Sequence, residues 1–188
     1  MRSNEKHFAV SGFVMNREAT KLLMVFHKKL NTWVIPGGHL DSDEYLHEGA
    51  LREIKEETGI EAEIIDANKF DFSGNEKEFC IPAPYLVLSE YIPAKGDKPS
   101  HIHIDFVYLC VANETIPTKQ ETEVDDVKWM TWTEVVESNT FESIKEFARK
   151  KMGKKNEITQ IKSKCQTPQT NPEPFITIES TSNGFMHF

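Results

Sequence analysis

Between Tyr45 and Thr58 the apolar residues recur at helical spacing, with Leu46, Ala50, Leu51 and Ile54 on one side of the run. Pro36-Gly37-Gly38 stands before it and Gly59 closes it. Elsewhere the pattern is that of short strands. Phe8 to Val14 and Leu22 to Phe26 flank the polar stretch Asn16 to Lys21 and read as a hairpin, and Trp33-Val34-Ile35 is a third run, stopped by Pro36. Further strands are expected at Glu63 to Ala67, Tyr85 to Tyr91, His101 to Ala112 and Val127 to Trp132. A last helix is expected from Thr140 to Met152, because Asn139 and Glu142 have capping-box spacing and Phe141, Ile144, Phe147 and Ala148 share a face. Asp41, Ser42 and Asp43 are N-cap candidates for the first helix. The order strands, helix, strands, helix places the chain in the α/β class.

Composition bounds the function. The chain has 188 residues, 30 acidic against 22 basic, a net charge of −8 and a sequence pI near 5.4. One domain is expected over residues 1–153, large enough to bury a core without disulfides or a structural metal. The acidic balance excludes a DNA-binding face that works by neutralising phosphates, so a polyanionic substrate would need a cation between it and the protein. Cys80, Cys110 and Cys165 are widely spaced and odd in number, against a disulfide framework or zinc knuckle. With no signal-like apolar run at the start and no membrane-length segment, the expected location is the reducing cytoplasm, away from membranes. Residues 154–188 shift to Lys, Gln, Thr, Asn and Pro and read as a polar linker and tail, disordered or pairing an edge through Phe175 to Ile178.

Nine of the 30 acids fall between Asp41 and Glu63, where uniform scatter would place about four. A solvated helix face is the ordinary reading of such a run. Placement argues otherwise: at about 100° per residue, Glu53 and Glu57 lie about 20° either side of Leu46 and Glu56 about 80° away, next to the apolar stripe. Residues three and four apart on a helix are neighbours, and at an effective dielectric near 20 two carboxylates about 5 Å apart repel by roughly 3 kcal/mol. Arg52 offsets part of this. A convergent set of carboxylates with a nearby free carbonyl in Pro36-Gly37-Gly38 is what a hard divalent cation takes up. Such an ion suits hydrolysis of a phosphoanhydride without a protein nucleophile, and neither a P-loop nor G-x-S-x-G is present.

Gly38, five residues, Glu44, seven residues, then Arg52-Glu53-Ile54-Lys55-Glu56-Glu57-Thr58-Gly59-Ile60 resembles the Nudix box at every fixed position. The resemblance implies a Nudix-type α/β/α sandwich with a mixed β-sheet. It implies that Glu53, Glu56 and Glu57, with the Gly37 carbonyl, hold Mg²⁺ (or Mn²⁺). Glu53 would orient or deprotonate the attacking water with Arg52 assisting, and Gly38, Glu44 and Gly59 would shape the loop and the helix ends. Relatives often add an acid from the loop before a tryptophan-bearing strand; Glu123, six residues before Trp129, fills that place here, with Glu121 second. The implied activity is hydrolysis of a nucleoside diphosphate linked to another moiety, a small-molecule nucleotide derivative, with a homodimer as a further expectation. A catalytically silent nucleotide-sensing module is the alternative. Asn75 and Glu76 stand where many ADP-ribose members carry proline, and Lys77 and Glu78 where many dinucleoside-polyphosphate members carry tyrosine.

The strand His101-Ile102-His103-Ile104-Asp105 is a separate signal, since period two puts His101, His103 and Asp105 on one face. A hydrogen-bonded structural role, contact with substrate phosphate or sugar, and a second metal site are the three readings, the last lacking a third spaced ligand. Trp33, Phe72, Tyr85, Tyr91 and Tyr108 are candidates to stack a base, of which Trp33 is preferred; core packing is the alternative for each.

Overall fold

The computed structural model describes residues 5–66, 79–94, 96, 99–119 and 124–153. Phe72, Asn75 to Glu78, Glu121, Glu123 and the tail beyond residue 153, for which the sequence raises expectations, lie outside them.

Among the described residues, eight strands form one mixed sheet: β1 (Lys6–Asn16), β2 (Lys21–His27), β3 (Thr32–Val34), β4 (Gly37–His39), β5 (Ala62–Ile64), β6 (Leu86–Ile92), β7 (His101–Ala112) and β8 (Val124–Thr131). The spine of the sheet is β3-β2-β1-β7-β5, with β4 on β1, β6 on β7 and β8 on β2. Among the named strands of the described residues, β1 and β7 are the pair that runs parallel, in register from Lys6↔Ile102 to Asn16↔Ala112. The expected hairpin forms, Met15 facing Leu22. The other half of that edge of β1 is taken by β4, with Ala9↔His39, Val10↔Gly38 and Ser11↔Gly37, so Pro36-Gly37-Gly38 ends one strand and begins another.

Alternation along β1 and β7 divides the core. Val10, Val14, Tyr108 and Cys110 face α1 (Leu46–Thr58), which buries Ala50 and Ile54 against them. Phe13, Met15 and Val107 face the opposite way, onto α2 (Trp132–Glu137) and α3 (Glu142–Gly153), where Phe13 and Phe147 stack at 3.8 Å between ring centroids. The result is an α/β/α sandwich with helices on both faces of the sheet. No helix of the described residues is long and apolar enough to cross a membrane.

Four local expectations change. The N-cap of α1 is Tyr45, because Asp41 and Glu44 are engaged in the loop, the Asp41 N–H donating to Glu44 Oε1 at 2.9 Å, while Glu48 accepts from the Tyr45 N–H at 3.0 Å. Trp132 leaves the strand to begin α2, where Thr131 and Glu134 form a capping box. Asn139 does not cap α3; its carbonyl accepts the Trp33 N–H and its amide donates to the Asn31 carbonyl, fastening β3. Phe141 is half exposed, unlike its companions Ile144, Phe147 and Ala148. Of the aromatics, Tyr108 is fully buried in the core, while Tyr85 and Tyr91 are half exposed. Trp33 is partly buried against the core, lies under the Lys128 ammonium at 4.3 Å, and is separated from β7 by β2 and β1.

Candidate active site

Two features of the sequence position the glutamates. The α1 stripe of Ala50 and Ile54 sets the rotation of the helix, and Gly59, left-handed at φ 67°, ends it with its N–H on the Lys55 carbonyl. Glu57 is therefore carried inward and is only 4 % exposed. Its Oε2 accepts the Gly37 N–H at 3.0 Å, tying the last turn of the helix to β4. Glu53 points at the same strand: a β-carbon on Gly38 would lie 2.5 Å from Glu53 Oε1, so glycine is what lets backbone and carboxylate approach. Glu56 stands at the rim, its side chain half exposed.

Arg52 organises this turn. Its guanidinium grips Glu44 at two points, Nε to Oε2 at 3.0 Å and Nη2 to Oε1 at 2.7 Å, and its Nη1 reaches Glu53 at 2.9 Å and Glu56 at 3.2 Å. Nη2 also donates to the His39 carbonyl at 3.1 Å, so the same side chain touches the loop, the helix and β4. The hydrogen bond from Arg52 holds the Glu44 carboxyl below the usual carboxylate range. Glu53 moves the other way: burial pushes it up, outweighing its bond to Arg52. One guanidinium shared among three carboxylates leaves this cluster short of positive charge. The donors are carboxylate and peptide oxygens, the set that fits a hard divalent ion, and Glu53, Glu56, Glu57 and the Gly37 carbonyl are the residues that would hold it.

His101, His103 and Asp105 share a face as their alternation requires, but it is the face opposite α1. Asp105 is buried, and its Oδ2 accepts the Ser11 hydroxyl at 2.7 Å while Oδ1 has no hydrogen-bond partner. Burial pushes its carboxyl up, and does the same to Glu90, with the Asp105 charge adding to the effect there. Two histidines that the sequence reading had not singled out join the pair. His7 faces His103 across β1 and β7, and His39 extends β4 beside them; the four rings lie 4.4 to 6.4 Å apart between centroids. His101 Nε2 and His103 Nε2 are 3.0 Å apart. Burial, with the neighbouring imidazoles, pulls His103 down to about 4. The two sets thus lie on opposite faces of the sheet, with β4 common to both: Gly38 faces Glu53, and His39 faces away.

Comparison with known proteins agrees with the fold. The NUDIX domain model matches residues 5–151. Nudix hydrolase 6 of Arabidopsis thaliana is 28 % identical over 145 residues, 71 % of this chain and 42 % of that protein. Phosphatase NudJ of Escherichia coli is 26 % identical over 112 residues, 59 % of each chain. The chain spans less than half the length of Nudix hydrolases 6 and 7 of Arabidopsis thaliana. Among solved structures, a NUDIX-family hydrolase from Clostridium perfringens superposes with a TM-score of 0.63 at 26 % identity, covering 78 % of this chain and 96 % of its own. A Caenorhabditis elegans Ap4A hydrolase shares the fold, with a TM-score of 0.51 at 18 % identity.

Proposed function

The chain belongs to the Nudix family, and from that premise we propose that it is a metal-dependent hydrolase which cleaves the phosphoanhydride of a nucleoside diphosphate linked to another moiety. One observation carries the reading: Glu53 and Glu57 are drawn out of solvent against the backbone of Gly37 and Gly38, in a cluster whose negative charge exceeds what Arg52 can balance. A solvated acidic helix face would turn these oxygens outward. Hydrolase relatives, Nudix hydrolase 6 and phosphatase NudJ among them, support the same class of reaction.

Glu53, Glu56, Glu57 and the Gly37 carbonyl would hold Mg²⁺ or Mn²⁺, which would supply charge neutralisation at the diphosphate and acidify water. The remaining work is the protein's. Glu57 is fixed by the Gly37 N–H and keeps the helix against β4. Glu53, set beside Gly38 and held by Arg52, is the group proposed to orient or deprotonate the attacking water. Arg52 holds Glu53 and Glu56 in place through its anchorage on Glu44 and the His39 carbonyl. Glu123, which lies outside the described residues, is proposed as a further acid.

A screen of nucleoside triphosphates, ADP-ribose, nucleotide sugars and dinucleoside polyphosphates with Mg²⁺ and Mn²⁺ tests the proposal. Turnover that requires the ion and disappears in Glu56→Gln and Glu57→Gln supports it. Absence of turnover on every substrate by a protein that still binds nucleotide would instead make the chain a silent sensor.

A further inference from the structure

The imidazole cluster on the other face of the sheet has no place in the hydrolytic reading. His7, His39, His101 and His103 each offer a ring nitrogen, and these four nitrogens all lie within 4.8 Å of one another. They come from three strands, β1, β4 and β7, and are brought together by the register that sets His7 opposite His103 and Ala9 opposite both His39 and Asp105. We propose that His7, His39, His101 and His103 form a binding site for one divalent transition-metal ion of the zinc type, separate from the oxygen site of α1 and fastening β1, β4 and β7 together.

The donor set selects the ion. Four neutral nitrogens suit zinc and its first-row neighbours, whereas magnesium and calcium take oxygen. A tetrahedral ion with bonds of about 2.0–2.1 Å spaces its ligand nitrogens by about 3.3 Å. The His101 and His103 Nε2 atoms, 3.0 Å apart, are already near that spacing, and the wider pairs, within 4.8 Å, would close by up to about 1.5 Å through ring rotation.

The surroundings fit as well. His101 Nδ1 lies 3.3 Å from the Pro99 carbonyl, the kind of backbone contact that puts the hydrogen on one ring nitrogen and leaves the other as a ligand. The Glu5 carboxylate is 3.3 Å from His7 Nε2, Glu90 is the cross-strand partner of His103, and the buried Asp105 carboxylate lies two residues further along β7 with one oxygen unpartnered. These carboxyl groups offer negative charge to an ion whose four ligands are neutral. His39 is exposed and the other three histidines half-buried, which leaves an entry path from solvent. Four protein ligands fill a tetrahedral site, so its expected role is structural rather than catalytic.

The test uses untagged full-length protein, freed of metal with a chelator and titrated with Co²⁺ and Zn²⁺. Beyond any ion taken up by the oxygen site of α1, wild type should bind one ion per chain at the imidazoles, develop the intense visible d–d bands of four-coordinate Co²⁺, and unfold at a higher temperature with Zn²⁺ than without. His7→Asn, His39→Asn and His103→Asn, one on each strand, should each weaken Zn²⁺ binding by more than the about 10- to 100-fold that loss of a supporting outer group causes. Far-UV circular dichroism of the metal-free variants confirms that they fold. Glu57→Gln should keep the cobalt spectrum. Absence of the bands in wild type, equal Zn²⁺ affinity in the three histidine variants, or a thiolate-to-cobalt charge-transfer band marking a cysteine ligand would each overturn the proposal. Because nucleotide turnover plays no part in the readout, this outcome is independent of the hydrolase assignment.

Discussion

The two clusters of ionisable side chains beside β4 are assembled in opposite ways. The glutamates of α1 come from a single turn, where like-charged carboxylates repel one another, and Arg52 and the Gly37 N–H hold them together. The imidazoles come from three strands, and with His103 held neutral by burial they approach within hydrogen-bonding distance without that repulsion. One cluster presents hard oxygen and the other borderline nitrogen, so adjacent stretches of the same strand are suited to different ions.

The contrast is broken most severely at Glu57. Glu57→Gln keeps the shape of the side chain and removes its charge, and turnover with Mg²⁺ should fall about 10³-fold or more while the thermal midpoint changes little, as steady-state kinetics and a melting curve will show. Gly38→Ala tests the close approach instead: a β-carbon 2.5 Å from Glu53 Oε1 must displace that carboxylate, and the expected loss of turnover is about 100-fold. Arg52→Lys keeps the charge but cannot grip Glu44 at two points while reaching Glu53 and Glu56. Turnover should drop about tenfold, together with about 1–3 kcal/mol of unfolding free energy measured in urea.

The smallest effect belongs to the imidazoles. With its folded value near 4 and an unfolded value near 6.5, His103 binds its proton more readily in the unfolded chain. Its contribution to stability is therefore complete above pH 6.5 and is lost as pH falls toward 4. Asp105 and Glu90, pushed up by burial, act in the opposite sense, so the quantity to measure is the difference between metal-free wild type and His103→Asn. That difference in melting temperature should shrink on acidification; a constant difference would contradict the assigned environment of His103.

What the sequence revealed follows from the range of the interactions involved. The box was legible because its parts are local: i, i+3 and i+4 spacing places Glu53, Glu56 and Glu57 on one turn, and Gly59 ends the helix by its own backbone freedom. The burial of Glu57 was legible for the same reason, since its angle to Ile54 and Ala50 is set by helical period alone. The pairing of His101 with His103 followed from strand period. His7 and His39 did not, because only the parallel register of β1 with β7 and the return of β4 along β1 bring them in, and neither is written in local pattern. Trp132 was read as strand although Thr131 and Glu134 have capping-box spacing; the local signal was present and the apolar run overrode it.

Whether the glutamate turn of α1 holds the hydrolytic ion is tested most directly by counting Mn²⁺ bound to the 188-residue chain by electron paramagnetic resonance. Mn²⁺ binding and nucleotide turnover should be lost together in the Glu56→Gln/Glu57→Gln double variant and persist together in His101→Asn/His103→Asn. A glutamate variant that still binds Mn²⁺ as wild type does and still turns over substrate would contradict the assignment.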